Sequence, residues 1–102
     1  MQRRVYLEGE LGERFGTKMD FHAPTVKDAI KLIEVNNPKF RKYLIDCHEK
    51  GVGFNIDVAG EELEYGEELL LPLQGGDITI AAIPQGAKSG GQKILAAILI
   101  II

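Results

Sequence analysis

The chain has little sulfur chemistry to offer: Cys47 is the single cysteine in 102 residues, so no internal disulfide can form and no thiol framework is present. That absence excludes the stapled architecture of small exported domains and points to a reducing cytoplasm. An excess of charge of one sign is also missing. Twelve basic and 15 acidic side chains leave a net charge of -3, which excludes an electrostatic grip on nucleic acid and describes a weakly acidic, soluble surface. Behind Arg3 and Arg4 there is no apolar signal region, because charges recur inside the first alternating segment, and no export leader is expected. Long hydrophobic runs are absent too. The longest, Ile94 to Ile102, is nine residues, whereas crossing a bilayer takes about 20. No internal repeat is visible, and the length suits one folded domain with a single modest core.

What is present is a clear succession of short periodic segments. Arg4, Val5, Tyr6, Leu7 and Glu8 alternate charged with apolar, the period of a strand with one face buried. Gly9 to Gly16, with three glycines, supplies turn chemistry, and Thr17 to His22 puts Met19 and Phe21 on one face and Lys18, Asp20 and His22 on the other. A β-hairpin with a loop over 9–16 is expected. Thr25 follows Pro24 and precedes Asp28 by three residues, a helix start in which the hydroxyl accepts an orphan backbone N–H. Val26, Ala29, Ile30 and Ile33 then form one apolar stripe, and Asn36-Asn37-Pro38 ends it. From Pro38 a second, shorter helix is expected, with Phe40, Tyr43, Leu44 and Cys47 at helical spacing and Gly51 as terminator.

Phe54, Ile56 and Val58 alternate with Asn55 and Asp57, the chain turns at Ala59-Gly60, and Glu61 to Leu63 continue beyond it. The run Leu69-Leu70-Leu71-Pro72-Leu73 cannot be assigned by periodicity and is expected to be short irregular pieces. After the Gly75-Gly76-Asp77 turn, both faces of residues 77–83 are largely apolar, with Ile78, Ile80 and Ala82 against Thr79, Ala81 and Ile83, which predicts a central strand. The order is hairpin, helix, strand, irregular segment, strand. It predicts an α+β fold of the β-grasp type: a mixed four- or five-stranded sheet on one main helix plus a short second helix, with the first and last strands as its central pair. The expected divisions are a folded body over residues 1–84, a flexible glycine-rich tail over 85–93, and the start of an apolar segment over 94–102.

Three pieces carry a resemblance: Phe54 to Leu63, Gly75-Gly76-Asp77-Ile78-Thr79-Ile80, and Ile83-Pro84 leading to Gly90-Gly91. Together they look like the ubiquitin-like sulfur carriers, which share the strand, the Gly-Glu turn, the Gly-Asp before the last strand and a terminal Gly-Gly. The segment Pro84-Gln85-Gly86-Ala87-Lys88-Ser89-Gly90-Gly91, followed by apolar residues, more closely resembles the tail assembly protein I family of lambda-like phages. That resemblance implies a ubiquitin-like protein-interaction module needed to assemble the tail tip in the host bacterial cytoplasm, without enzymatic activity or cofactor. It implies other tail assembly proteins as partners. One of them resembles a JAB-type metallopeptidase and a cell-wall peptidase and is a proposed protease for the module. It also implies that this chain stops short of the full apolar segment.

The residues on which such chemistry turns are Pro84, Gly86, Ala87, Lys88, Ser89, Gly90 and Gly91. Two glycines without Cβ let an extended strand lie in a narrow protease or adenylation channel with its carbonyl accessible, although the same dipeptide also serves as a plain linker. In the sulfur-carrier alternative the carboxylate of Gly91 is activated by an adenylating enzyme. Here Gln92 and the apolar run follow it, so a cut must come first.

Gly86-Ala87-Lys88-Ser89 is not a phosphate loop, because Ala87 separates the glycine from the lysine. Cys47, His48, Glu49 and His22 meet no ligand spacing, and Cys47 suits a buried small hydrophobe. No catalytic, cofactor-binding or metal residue is therefore assigned. Glu61, Glu62, Glu64, Glu67 and Glu68 read as a solvated face. The run from Ile94 is open to three readings: a membrane-inserting segment, a strand docking on an apolar partner, or an aggregation-prone end.

Overall fold

The computed structural model describes residues 2–83 and 91–101. The chain forms β1 (Gln2–Leu7), α1 (Gly9–Phe15), β2 (Lys18–His22), α2 (Val26–Asn36), α3 (Phe40–Glu49), β3 (Gly53–Val58), β4 (Glu61–Glu62), a 3-10 turn (Gly66–Leu70), β5 (Ile78–Ile83) and α4 (Gly91–Ile101). All five strands join one sheet in the order β2-β1-β5-β3-β4. β1 and β5 run parallel at its centre, and the remaining pairs are antiparallel. This is an α+β fold in the β-grasp arrangement, with the expected first and last strands as the central pair.

Alternation along the strands decides which side is covered. Val5, Leu7, Ile56, Ile78 and Ile80 are buried in one core with residues from all four helices. Arg4, Lys18, Asp20 and His22 point to the opposite, exposed side. Register enforces the pattern, since Ile80 stands opposite both Leu7 and Ile56, and a one-residue slip would turn every aliphatic outward.

The helix starts follow from local chemistry. Thr25 Oγ1 accepts the Asp28 N–H at 3.1 Å and donates to Asp28 Oδ2 at 2.8 Å, so both ends of the expected cap are satisfied. Val26, Ala29, Ile30 and Ile33 are all buried. Asn37 ends α2 by donating its side-chain amide to the Ile33 carbonyl at 3.0 Å. α3 begins two residues after Pro38 and buries Phe40, Leu44 and Cys47.

Two elements depart from expectation. The loop expected between the first two strands is α1, a helix placed within the hairpin connection. Its glycines are not only turn residues: Gly9 and Gly16 have positive φ at the boundaries, while Gly12 lies so close to β1 that an added Cβ would run into the Leu7 carbonyl oxygen. Leu11 is fully buried, so one apolar side chain and one close approach seat a seven-residue helix.

The second departure is the C-terminal end. Gly91, Gln92 and Lys93, expected in a flexible tail, are the first turn of α4. The apolar run beyond them is helical and returns to this chain's own core, burying Ile94, Leu95 and Ile98. A segment apolar at every position carries no periodicity that separates strand from helix; the inward set 94, 95 and 98 becomes visible only once the helix is formed. Among the described residues, no helix is long and apolar enough to cross a membrane.

Candidate functional site

Of the seven residues expected to form the recognition tail, Pro84, Gly86, Ala87, Lys88, Ser89 and Gly90 lie outside the described residues. Gly91 is the first residue of α4. The tail is therefore bracketed by two fixed points. On one side Ile83 ends β5 opposite Gly53 of β3, and on the other α4 is held in the core. The Gly90-Gly91 junction joins two packed elements.

α4 is seated among β3, α3, α2 and the 3-10 turn. Gly66, which opens that turn, faces Ala97 so closely that a Cβ added at Gly66 would lie 2.8 Å from the Ala97 Cβ. Two small residues thus let the turn and the helix meet at near-backbone distance. The turn itself is held by Glu68, whose Oε1 accepts the N–H groups of Glu64 and Tyr65, each at 3.0 Å. One member of the acidic run is therefore a capping residue, while Glu61 and Glu62 form the exposed edge strand β4. Charge on an edge strand discourages pairing with another sheet.

Beside the end of β5 lies a cleft of about 320 Å³ lined by Glu10, Arg14, Tyr43, Asp46, Cys47, Lys50, Val52 and Ala82. α1 and α3 build its polar wall. Arg14 Nε donates to Glu10 Oε1 at 2.8 Å, and the Arg14 guanidinium sits 5.1 Å from the centre of the Tyr43 ring. Phe15 packs edge-on to Phe40 and Tyr43, with ring centres 5.2 and 5.4 Å apart. Burial, reinforced by the neighbouring Cys47 and Glu10, pushes the Tyr43 hydroxyl up to about 12. Burial also pushes the Cys47 thiol up, against a hydrogen bond from Tyr43 that draws it down. A nucleophilic cysteine needs the opposite shift, so the cleft is a packed aromatic corner with a neutral thiol beneath it.

The remaining sequence candidates are dispersed. His22 is exposed on β2, His48 and Glu49 are exposed near the end of α3, and Cys47 is buried on the inner side of that helix. Among the described residues, no group of three His, Cys, Asp or Glu side chains could hold a metal ion. Two features escaped the sequence reading. The Glu10–Arg14 pair at helical spacing was a signal for α1 that the surrounding glycines outweighed. Arg3, on the row of Val5 and Leu7, is only 5% exposed; its Nη1 donates to the Gly76 carbonyl at 3.3 Å, and its Nε has no partner among the described residues. No protein-family model, curated protein or solved structure matches this chain.

Proposed function

We propose that this chain is a non-enzymatic protein-interaction module of phage tail-tip assembly, acting in the host bacterial cytoplasm and handled by other tail proteins at its Gly90-Gly91 junction. The observation that carries the reading is the succession of a β-grasp body, the segment Pro84 to Gly91 that resembles the tail assembly protein I family, and an apolar element directly after it. Among the described residues, the sheet face carrying Arg4, Lys18, Asp20 and His22 has no helix on it, and a Gly-Gly sequence is one that a narrow channel can accept. Processing after Gly91 by a JAB-type tail protein follows from the same reading.

The alternative, a sulfur carrier or modifier activated at Gly91, requires the chain to end there. That form would lose α4 and with it Ile94, Leu95 and Ile98 from the core. Partial exposure of the aliphatic residues around the vacated seat would cost several kcal/mol, at about 1.5–3 kcal/mol for each large side chain. A carrier acts only in that cut form, whereas a tail-assembly module can act uncut with α4 seated and needs the cut only as a later processing step, which favours the assembly reading.

The test is genetic and structural. In a phage or lysogen carrying this gene, deletion is expected to leave tails unassembled or tip-defective by electron microscopy, with restoration by the chain supplied from a plasmid. Normal tails in the deletion strain would sink the proposal.

A further inference from the structure

Although the chain carries a net charge of -3, the surface between α1 and α3 is basic and aromatic. A hollow of about 410 Å³ lies there, lined by Arg14, Phe15, Lys39, Lys42, Tyr43 and Asp46. Phe15 and Tyr43, both half-buried, form its apolar floor, with their rings edge-on at 5.4 Å. Arg14 is already held by Glu10 and the Tyr43 ring. The two lysines are not held in this way. Lys39 is exposed and enters no ion pair among the described residues. Lys42 reaches Asp46 only at 3.6 Å, with its side chain 80% exposed, and a pair of that kind contributes little and is easily redirected.

The same chain carries the opposite chemistry elsewhere. Residues 61–68 hold Glu61, Glu62, Glu64, Glu67 and Glu68 and no basic side chain. Among them Tyr65 stands 64% exposed, between the exposed Glu64 and Glu67. The segment is held in shape, since Glu68 Oε1 accepts the N–H groups of Glu64 and Tyr65 and Gly66 lies close against Ala97 of α4. A tyrosine presented on a fixed turn gives up little freedom on docking. Its apolar ring and polar hydroxyl suit a site with an aromatic floor and a wet, charged rim. None of residues 61–68 lines the hollow between α1 and α3, so the two surfaces do not meet within one chain.

We infer that the hollow between α1 and α3 is a self-association site that takes Tyr65 of a second copy, with that copy's Glu64 and Glu67 against Lys39 and Lys42. The occupant is a second copy because the chain supplies both halves of the match: a cationic rim on an aromatic floor, and an exposed aromatic side chain flanked by carboxylates. Opposite potentials of this kind steer two surfaces together and fix their register. The contact joins unlike surfaces, so each copy in a pair keeps one open hollow or one free tyrosine to pass the contact on. One aromatic anchor and two exposed charge pairs make a small interface of the transient class. Association is therefore expected at high protein concentration and low salt.

The experiment compares the unmodified full chain with two variants of it, Lys39→Glu/Lys42→Glu and Tyr65→Ala, by light scattering. The average mass of the unmodified chain is expected to rise above one chain mass with concentration. It should fall back toward one as salt goes from about 0.1 M to about 1 M, where the screening length drops from about 10 to about 3 Å. Each variant alone should stay at one chain mass. Mixed, the two should recover association and stop at two chain masses, because the intact hollow of the tyrosine variant takes the intact Tyr65 of the lysine variant. Should a variant fail to fold, carbodiimide coupling of the unmodified chain mixed with an isotopically heavy copy decides. Bonds between chains are then expected to join Lys39 or Lys42 to Glu64 or Glu67 by mass spectrometry. The inference is overturned if either variant associates as the unmodified chain does, if the mixture stays monomeric, or if coupling gives no such bond between chains. It is equally overturned if the unmodified chain stays monomeric at every concentration, including the outcome in which that monomer binds a glutamate–tyrosine copolymer and the occupant is an acidic segment of another protein.

Discussion

Gly12 shows how much one missing side chain can determine. Its position against the Leu7 carbonyl lets α1 lie on the end of β1, and with Leu11 buried beside it the hairpin connection becomes a helix rather than a loop. Gly12→Ala keeps helix propensity but forces the backbone of α1 away from β1. The expected cost is about 2–4 kcal/mol, in the range of severe overpacking, read as a lower midpoint in urea. An unchanged midpoint would show that α1 does not rest on Leu7. Tyr43 and Cys47 make a second prediction, on pH. Both have folded values raised above their unfolded ones, so the stability they contribute is fully present below the unfolded values. It is lost as pH rises past about 9 for the thiol and from about 10 to 12 for the phenol. Tyr43→Phe should flatten the loss of thermal stability above pH 10, and Cys47 in the native chain should alkylate far more slowly at pH 8 than in the unfolded chain. Fast native alkylation would contradict a buried neutral thiol.

Among the elements, α4 has the largest consequence because it was expected to have no place in the core. Leu95 is fully buried, and Leu95→Ala should cost about 2–5 kcal/mol, as large-to-small core changes do. Gly66→Leu should lower stability as well, by driving a side chain into Ala97. Matching losses in both would place α4 in its seat; a full-length chain insensitive to both would show that the body is complete without it. The elements legible in the sequence were those with a periodic pattern and a boundary residue: α2 between Thr25 and Asn37, α3 before Gly51, β3 up to the Ala59-Gly60 turn, and β5 after Asp77. Ala59 and Gly60 both adopt positive φ, the backbone a two-residue hairpin turn requires. The two helices that were missed had no such contrast. In α1 the glycines imitated a turn, and in α4 uniform apolarity erased the period. The cleft of Arg14, Tyr43 and Cys47 could not be foreseen without α1, since Glu10 and Arg14 of that helix form part of its wall.

For the whole molecule, the change in the meaning of Gly90-Gly91 matters most. A glycine pair ending a tail would be free for activation. A glycine pair between β5 and a seated helix is a junction whose cutting separates a core element from its body. Under the function proposed above, this junction is where partner proteins act on the module. The intact mass of the chain tests the account most directly, taken once from cells expressing it alone and once from cells producing the complete set of tail proteins. The account predicts the uncut mass in the first sample and a species ending at Gly91 in the second. The same uncut mass in both samples would contradict handling at the junction.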